Sequence, residues 1–66
     1  MQIKSQDGVV YDIYEFSLSQ KVISCKDNID RRRKRILGEY DSVERATDVY
    51  RCLLNETSGY FEMPNA

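Results

Sequence analysis

Arg31-Arg32-Arg33-Lys34-Arg35 gathers half of the ten basic residues of a 66-residue chain into one unbroken run. Planar guanidiniums grip carboxylate and phosphate oxygens bidentately, so the run is the chain's best candidate for an anion or partner-binding site. On a strand, Arg31, Arg33 and Arg35 would point to one face and Arg32 and Lys34 to the other. Five adjacent like charges repel, which costs folding energy unless acids or a bound anion neutralise them. Two expectations follow. In one, the run is a solvated strand end balanced by Asp27, Asp30, Glu39 and the acids of a helix. In the other, it holds the phosphates of a nucleotide or nucleic acid, or an acidic protein surface. Tyrosines beside such arginines could stack on bases, and Tyr11, Tyr14 and Tyr40 are placed to do so. Tyr14 and Tyr40 therefore join the five cations as candidate binding residues, although strand tyrosines more often pack a core.

Other reactive groups are sparse. The chain has no histidine, and Cys25 and Cys52 cannot supply the four ligands of a zinc site, so neither metal nor cofactor is expected. Cys25 reads as strand packing. Cys52 falls well off the apolar side of its helix, with only Arg45 and Arg51 nearby to lower its pKa, so a nucleophilic role is not expected. Of the paired carboxylates, Asp12 with Glu15 reads as turn chemistry and Asp41 with Glu44 as helix capping. The three glycines are isolated and form no phosphate loop. An enzyme is not expected. A Cys25–Cys52 disulfide is formally allowed, but the polar opening Met1–Asp7 does not look like a secretory signal, so the thiols are expected to be reduced in the cytoplasm. No apolar run approaches the ~20 residues of a membrane span.

The length predicts one domain spanning 1–66, with about 60% of its unfolded surface buried and a correspondingly small core. Asp7-Gly8 signals a two-residue hairpin joining strands near Gln2–Gln6 and Val9–Ile13. A third extended stretch covers Phe16–Lys26, with a bulge or bend near Ser19-Gln20-Lys21 to reconcile its mixed alternation. After the Asp27-Asn28 turn, Arg31–Tyr40 returns as a fourth strand whose apolar end is Ile36, Leu37 and Tyr40. Asp41 and Glu44 then open a helix over Asp41–Thr57. Its apolar stripe is Val43, Ala46, Val49, Tyr50, Leu53 and Leu54, and it stops before Gly59. Tyr60–Met63 is an extra edge segment closed by Pro64. The predicted class is α+β: a three- to four-stranded antiparallel meander covered on one face by a single C-terminal helix, β-β-β-β-α, with a short terminal strand.

Several stretches carry a resemblance: Met1–Gly8, Tyr14-Glu15, Leu37–Ala46 and Phe61-Glu62-Met63-Pro64. Together they resemble short uncharacterised proteins of Firmicutes and their phages, which begin with a Ser-Gln-Asp/Asn-Gly turn and start a helix with a Tyr-Ser-Thr/Ser-Glu-Glu/Lys-Lys/Arg-Ala pattern. The chain departs from the group at Ile13, where proline is common, and in the basic run. The resemblance implies a phage or mobile-element setting and a cytoplasmic location in a bacterial host; it brings no activity and no catalytic residues.

The leading expectation is thus a non-enzymatic accessory protein that binds and blocks a host component, as a defence antagonist acting on a nuclease complex or a nucleotide signal. Its partner would be a host protein or nucleoprotein complex. A small nucleic-acid-binding regulator using Arg31–Arg35 and a structural homo-oligomer pairing its free sheet face are the alternatives.

Overall fold

The computed structural model of the protein describes residues 1–13, 15–26 and 33–66. Among these are six strands and one helix: β1 (Gln2–Lys4), β2 (Val10–Asp12), β3 (Phe16–Ser19), β4 (Val22–Lys26), β5 (Lys34–Glu39), α1 (Val43–Leu54) and β6 (Tyr60–Glu62). The α+β class, the late helix and the terminal strand match the expectation. The strands, however, divide into two three-stranded sheets, ordered β2-β1-β6 and β3-β4-β5.

The first sheet is built on the amino-terminal hairpin. Ile3 pairs with Tyr11 on β2 and, in parallel, with Phe61 on β6. The connecting turn is not the two-residue type expected from Asp7-Gly8. Ser5 and Val9 still pair, and the Ser5 carbonyl accepts from the Gly8 N–H at 3.0 Å. Only Gly8 takes a positive φ, +89°. This is a three-residue loop in which glycine supplies the left-handed position.

The second sheet is an antiparallel meander. The stretch expected as one strand over Phe16–Lys26 is two, folded back at Gln20-Lys21 with Ser19 opposite Val22. Gln20 stands at φ 54°, the non-glycine residue at positive φ among those described. The fold-back accounts for the switch of apolar parity. Phe16 faces Cys25 and Leu18 faces Ile23 across the hairpin, so residues of opposite parity share one surface. Between β4 and β5 the register shifts at Ile23/Ser24: Ile23 pairs with Gly38 and Ser24 with Ile36. The extra residue, Leu37, lets Leu37 and Gly38 both turn inward.

The N-cap of α1 lies one residue later than expected. Ser42, not Asp41, is the N-cap, and its Oγ accepts from the Arg45 N–H at 3.0 Å. The helix ends at Leu54 with Asn55 as its cap, short of Thr57. The buried stripe is Ala46, Val49 and Leu53; Val43 and Leu54 at the two ends remain exposed. α1 lies against β3 and β4, with the Tyr50 ring edge-on to Phe16 at 6.0 Å. The core joins both sheets and the helix through Ile3, Ile13, Ile23, Cys25, Leu37, Tyr40, Ala46, Val49, Leu53 and Met63.

Candidate binding surface

The surface of the second sheet turned away from α1 is fixed by its alternation. Phe16, Leu18, Ile23 and Cys25 face the helix side, so Ser17, Ser19, Val22, Ser24 and Lys26 face the other. Through the register with β5, Lys34, Ile36 and Glu39 join that second face. Ser24 is buried at its centre, with its Oγ 3.4 Å from that of Ser17, and Val22 is half-buried. Around them Ser17, Ser19, Lys26, Lys34, Ile36 and Glu39 are exposed. Ile36, expected within the apolar end of its strand, is 57% exposed because the Leu37 bulge leaves it on the outer face. A shallow depression of about 390 Å³ runs between Ser19, Gln20, Val22, Lys34 and Ile36.

Of the basic run, Arg33, Lys34 and Arg35 fall within the described residues, and Arg31 and Arg32 lie outside them, as does Tyr14. Arg33 is exposed just before β5. Lys34 stands on the outer face directly opposite Lys26. Arg35, opposite Cys25, is half-buried on the helix side. The expected split of the run between two faces therefore holds for Lys34 and Arg35. Neither Lys26 nor Lys34 makes an ion pair with any described residue. Directly opposed like charges on neighbouring strands are destabilising.

The same reasoning shows which backbone groups of β5 are open. The Tyr40 N–H donates to the Lys21 carbonyl at 2.9 Å, making 21 and 40 a hydrogen-bonded pair. Bonded and non-bonded pairs alternate along an antiparallel ladder. Cys25 and Arg35 thus bond to each other, whereas the N–H and C=O groups of Lys34 and Ile36 point away from β4 to the free edge. No described hydrogen bond occupies them. Further along the same edge, the Gln6 N–H donates to the Leu37 carbonyl at 2.9 Å. The Gln6 side chain then accepts from the Glu39 N–H at 2.8 Å and donates to the carbonyls of Glu39 and Pro64, at 3.2 and 2.8 Å. One residue of the first sheet's hairpin loop therefore imitates an added strand and closes half of the edge.

Tyr40 is not available to stack on a base. It is 4% exposed, its hydroxyl donates to the Pro64 carbonyl at 2.9 Å, and its ring covers Gly38. Burial raises its pKa above the usual 10.0, opposed by the positive charge of Arg45, whose guanidinium lies 6.0 Å from the ring. The signal for this role was Gly38 two residues before Tyr40, since a glycine on one strand often receives a neighbouring ring.

A second, polar cavity of about 430 Å³ lies between the first hairpin loop and the carboxyl-terminal segment, lined in part by Lys4, Asp7, Glu62 and Asn65. Its charged groups already have partners. Lys4 pairs with Glu62 at 3.3 Å, and the Ser5 hydroxyl donates to Asp7, holding that carboxyl below its ordinary 3.8. Both cysteines are free thiols, Cys25 buried in the core and Cys52 exposed on α1. No described helix is long and apolar enough to cross a membrane. Compared with protein families, curated proteins and solved structures, the chain matches no family model, no curated protein and no solved structure.

Proposed function

We propose that the protein is a non-enzymatic, phage-type accessory protein that binds and blocks an acidic host component through the cationic start of β5. The observation that carries this reading is the Lys26–Lys34 pair. Non-bonded antiparallel pairs bring Cα atoms to about 4.5 Å, so the two ammonium groups share one patch of surface. Such a pair costs stability, whereas an incoming carboxylate would relieve it. Arg33 adds a third exposed cation beside it, and Ile36 an exposed apolar contact. Host-defence machinery, a nuclease complex or a nucleotide signal, is the natural target for a protein of the group this chain resembles. The burial of Tyr40 withdraws one stacking platform and weighs against a nucleic-acid regulator.

The test is co-purification of tagged protein from a bacterial host, with and without the change Lys34→Glu. An acidic host protein retained by the native chain and lost from the variant is the expected result. Equal retention by both would overturn the reading. Nuclease-sensitive material whose log affinity falls with log salt at about −0.9 per phosphate contact would replace it with the nucleic-acid alternative.

A further inference from the structure

We infer that the partner's docking element is an acidic, extended polypeptide segment that adds to the open half of the β5 edge as a further strand. The inference rests on the reading above and names the chemistry of its partner. β5 is an edge strand of the β3-β4-β5 sheet. Its outward groups at Lys34 and Ile36 are unoccupied among the described residues, while Gln6 fills those at Leu37 and Glu39. The edge thus already accepts strand-like pairing at one end, and Gln6 sets where a second segment must stop.

Charge selects the occupant. Two exposed cations stand in sequence at this end: Lys34 on the outer face of the strand, and Arg33 immediately before it. A strand running beside β5 in the plane of the sheet places side chains next to both. Carboxylates opposite Arg33 and Lys34 and an apolar side chain opposite Ile36 complete the match, with main-chain bonds giving affinity and alternate side chains giving specificity. The same cations disfavour a second copy, because Lys and Arg on an edge repel an identical edge.

The probe is an acetylated, amidated eight-residue peptide containing Val-Thr-Glu-Glu, which antiparallel to β5 sets valine opposite Ile36 and glutamates opposite Lys34 and Arg33; it is added to isotopically labelled full-length protein and followed by amide NMR. The control is the same peptide N-methylated throughout, which keeps every charge and removes every backbone donor. Slowed hydrogen exchange at the Lys34 and Ile36 amides, with binding weakened roughly tenfold or more by N-methylation, is expected; that loss is the size of about one or two hydrogen bonds. Equal binding of the two peptides would overturn strand addition while leaving an acidic partner in place. Binding of neither peptide would also overturn it, and the effect of Lys34→Glu on the co-purified host protein would then decide separately whether the proposed function stands. If a single-stranded oligonucleotide, and not the peptide, perturbs Lys34, the partner class is wrong.

Discussion

At one end of β5, Leu37 and Gly38 are buried beneath the hairpin loop and the Tyr40 ring, and the backbone of Glu39 is bonded by the Gln6 side chain. At the other end Arg33, Lys34 and Ile36 meet solvent, and the strand's outward backbone groups have no described partner. The two ends share one strand and one neighbour, β4. What differs is the side chains that reach them: a bulge, a glycine and an amide close one end, and cations hold the other open. The lesson is that closing an edge requires a specific donor–acceptor set, whereas keeping it available requires only charge that repels its like.

Breaking the closed end gives the largest effect. Leu37 is fully buried, so Leu37→Ala should cost about 2–5 kcal/mol in urea unfolding, a large share of the stability of so small a domain. Gly38→Ala comes next. A Cβ there would lie 2.9 Å from the Tyr40 hydroxyl and 3.1 Å from Met63 Cε, inside the packed core, and should cost about 1–3 kcal/mol. Gln6→Ala removes the acceptor of the Glu39 N–H and one of the two donors to the Pro64 carbonyl, and should cost about 0.5–1.5 kcal/mol, with faster amide exchange at Glu39.

The alkaline limb of stability sharpens the same contrast. The folded pKa of Tyr40 is raised, so its contribution is complete below the unfolded value of 10.0 and is lost as pH rises through it toward the folded value. Tyr40→Phe should flatten that limb in pH-dependent urea titrations while losing the bond to Pro64. An unchanged alkaline slope would place the titration elsewhere.

At the open end the sign reverses. Lys34→Glu replaces a repulsive cross-strand pair with Lys26 by an attractive one and should stabilise the fold by about 0.2–1 kcal/mol. The same change should abolish partner retention. A lysine that costs stability yet supports binding is a functional residue; a variant both weaker in fold and normal in binding would show Lys34 to be structural.

Local features were legible in the sequence where they depend on neighbours along the chain. The amphipathic helix was readable from Ala46, Val49 and Leu53, the first turn from Gly8, and the cationic run from composition alone. The cap was misplaced by one residue because Asp41 and Ser42 are equally good acceptors, and only the position of the Arg45 N–H decides between them. The fold-back at Gln20-Lys21 lacked the usual Gly or Asn, although the parity switch from Phe16 and Leu18 to Ile23 and Cys25 was its trace. The division into two sheets was hidden because it depends on β6 returning beside β1, a contact between distant segments. The edge position of the cations was hidden for the same reason. It exists only because Gln6 reaches no further along the edge than Leu37 and, among the described residues, β5 has one neighbouring strand.

The unlike ends of β5 are tested most directly by native-state amide exchange at two outward-facing residues of the one strand. In the free protein the Glu39 amide, bonded to Gln6 Oε1, should exchange well below the rate of an unstructured chain. The Lys34 and Ile36 amides should exchange close to the rate of an unstructured chain. Protection at Lys34 and Ile36 equal to that at Glu39 would mean the edge is already closed, and would contradict the account.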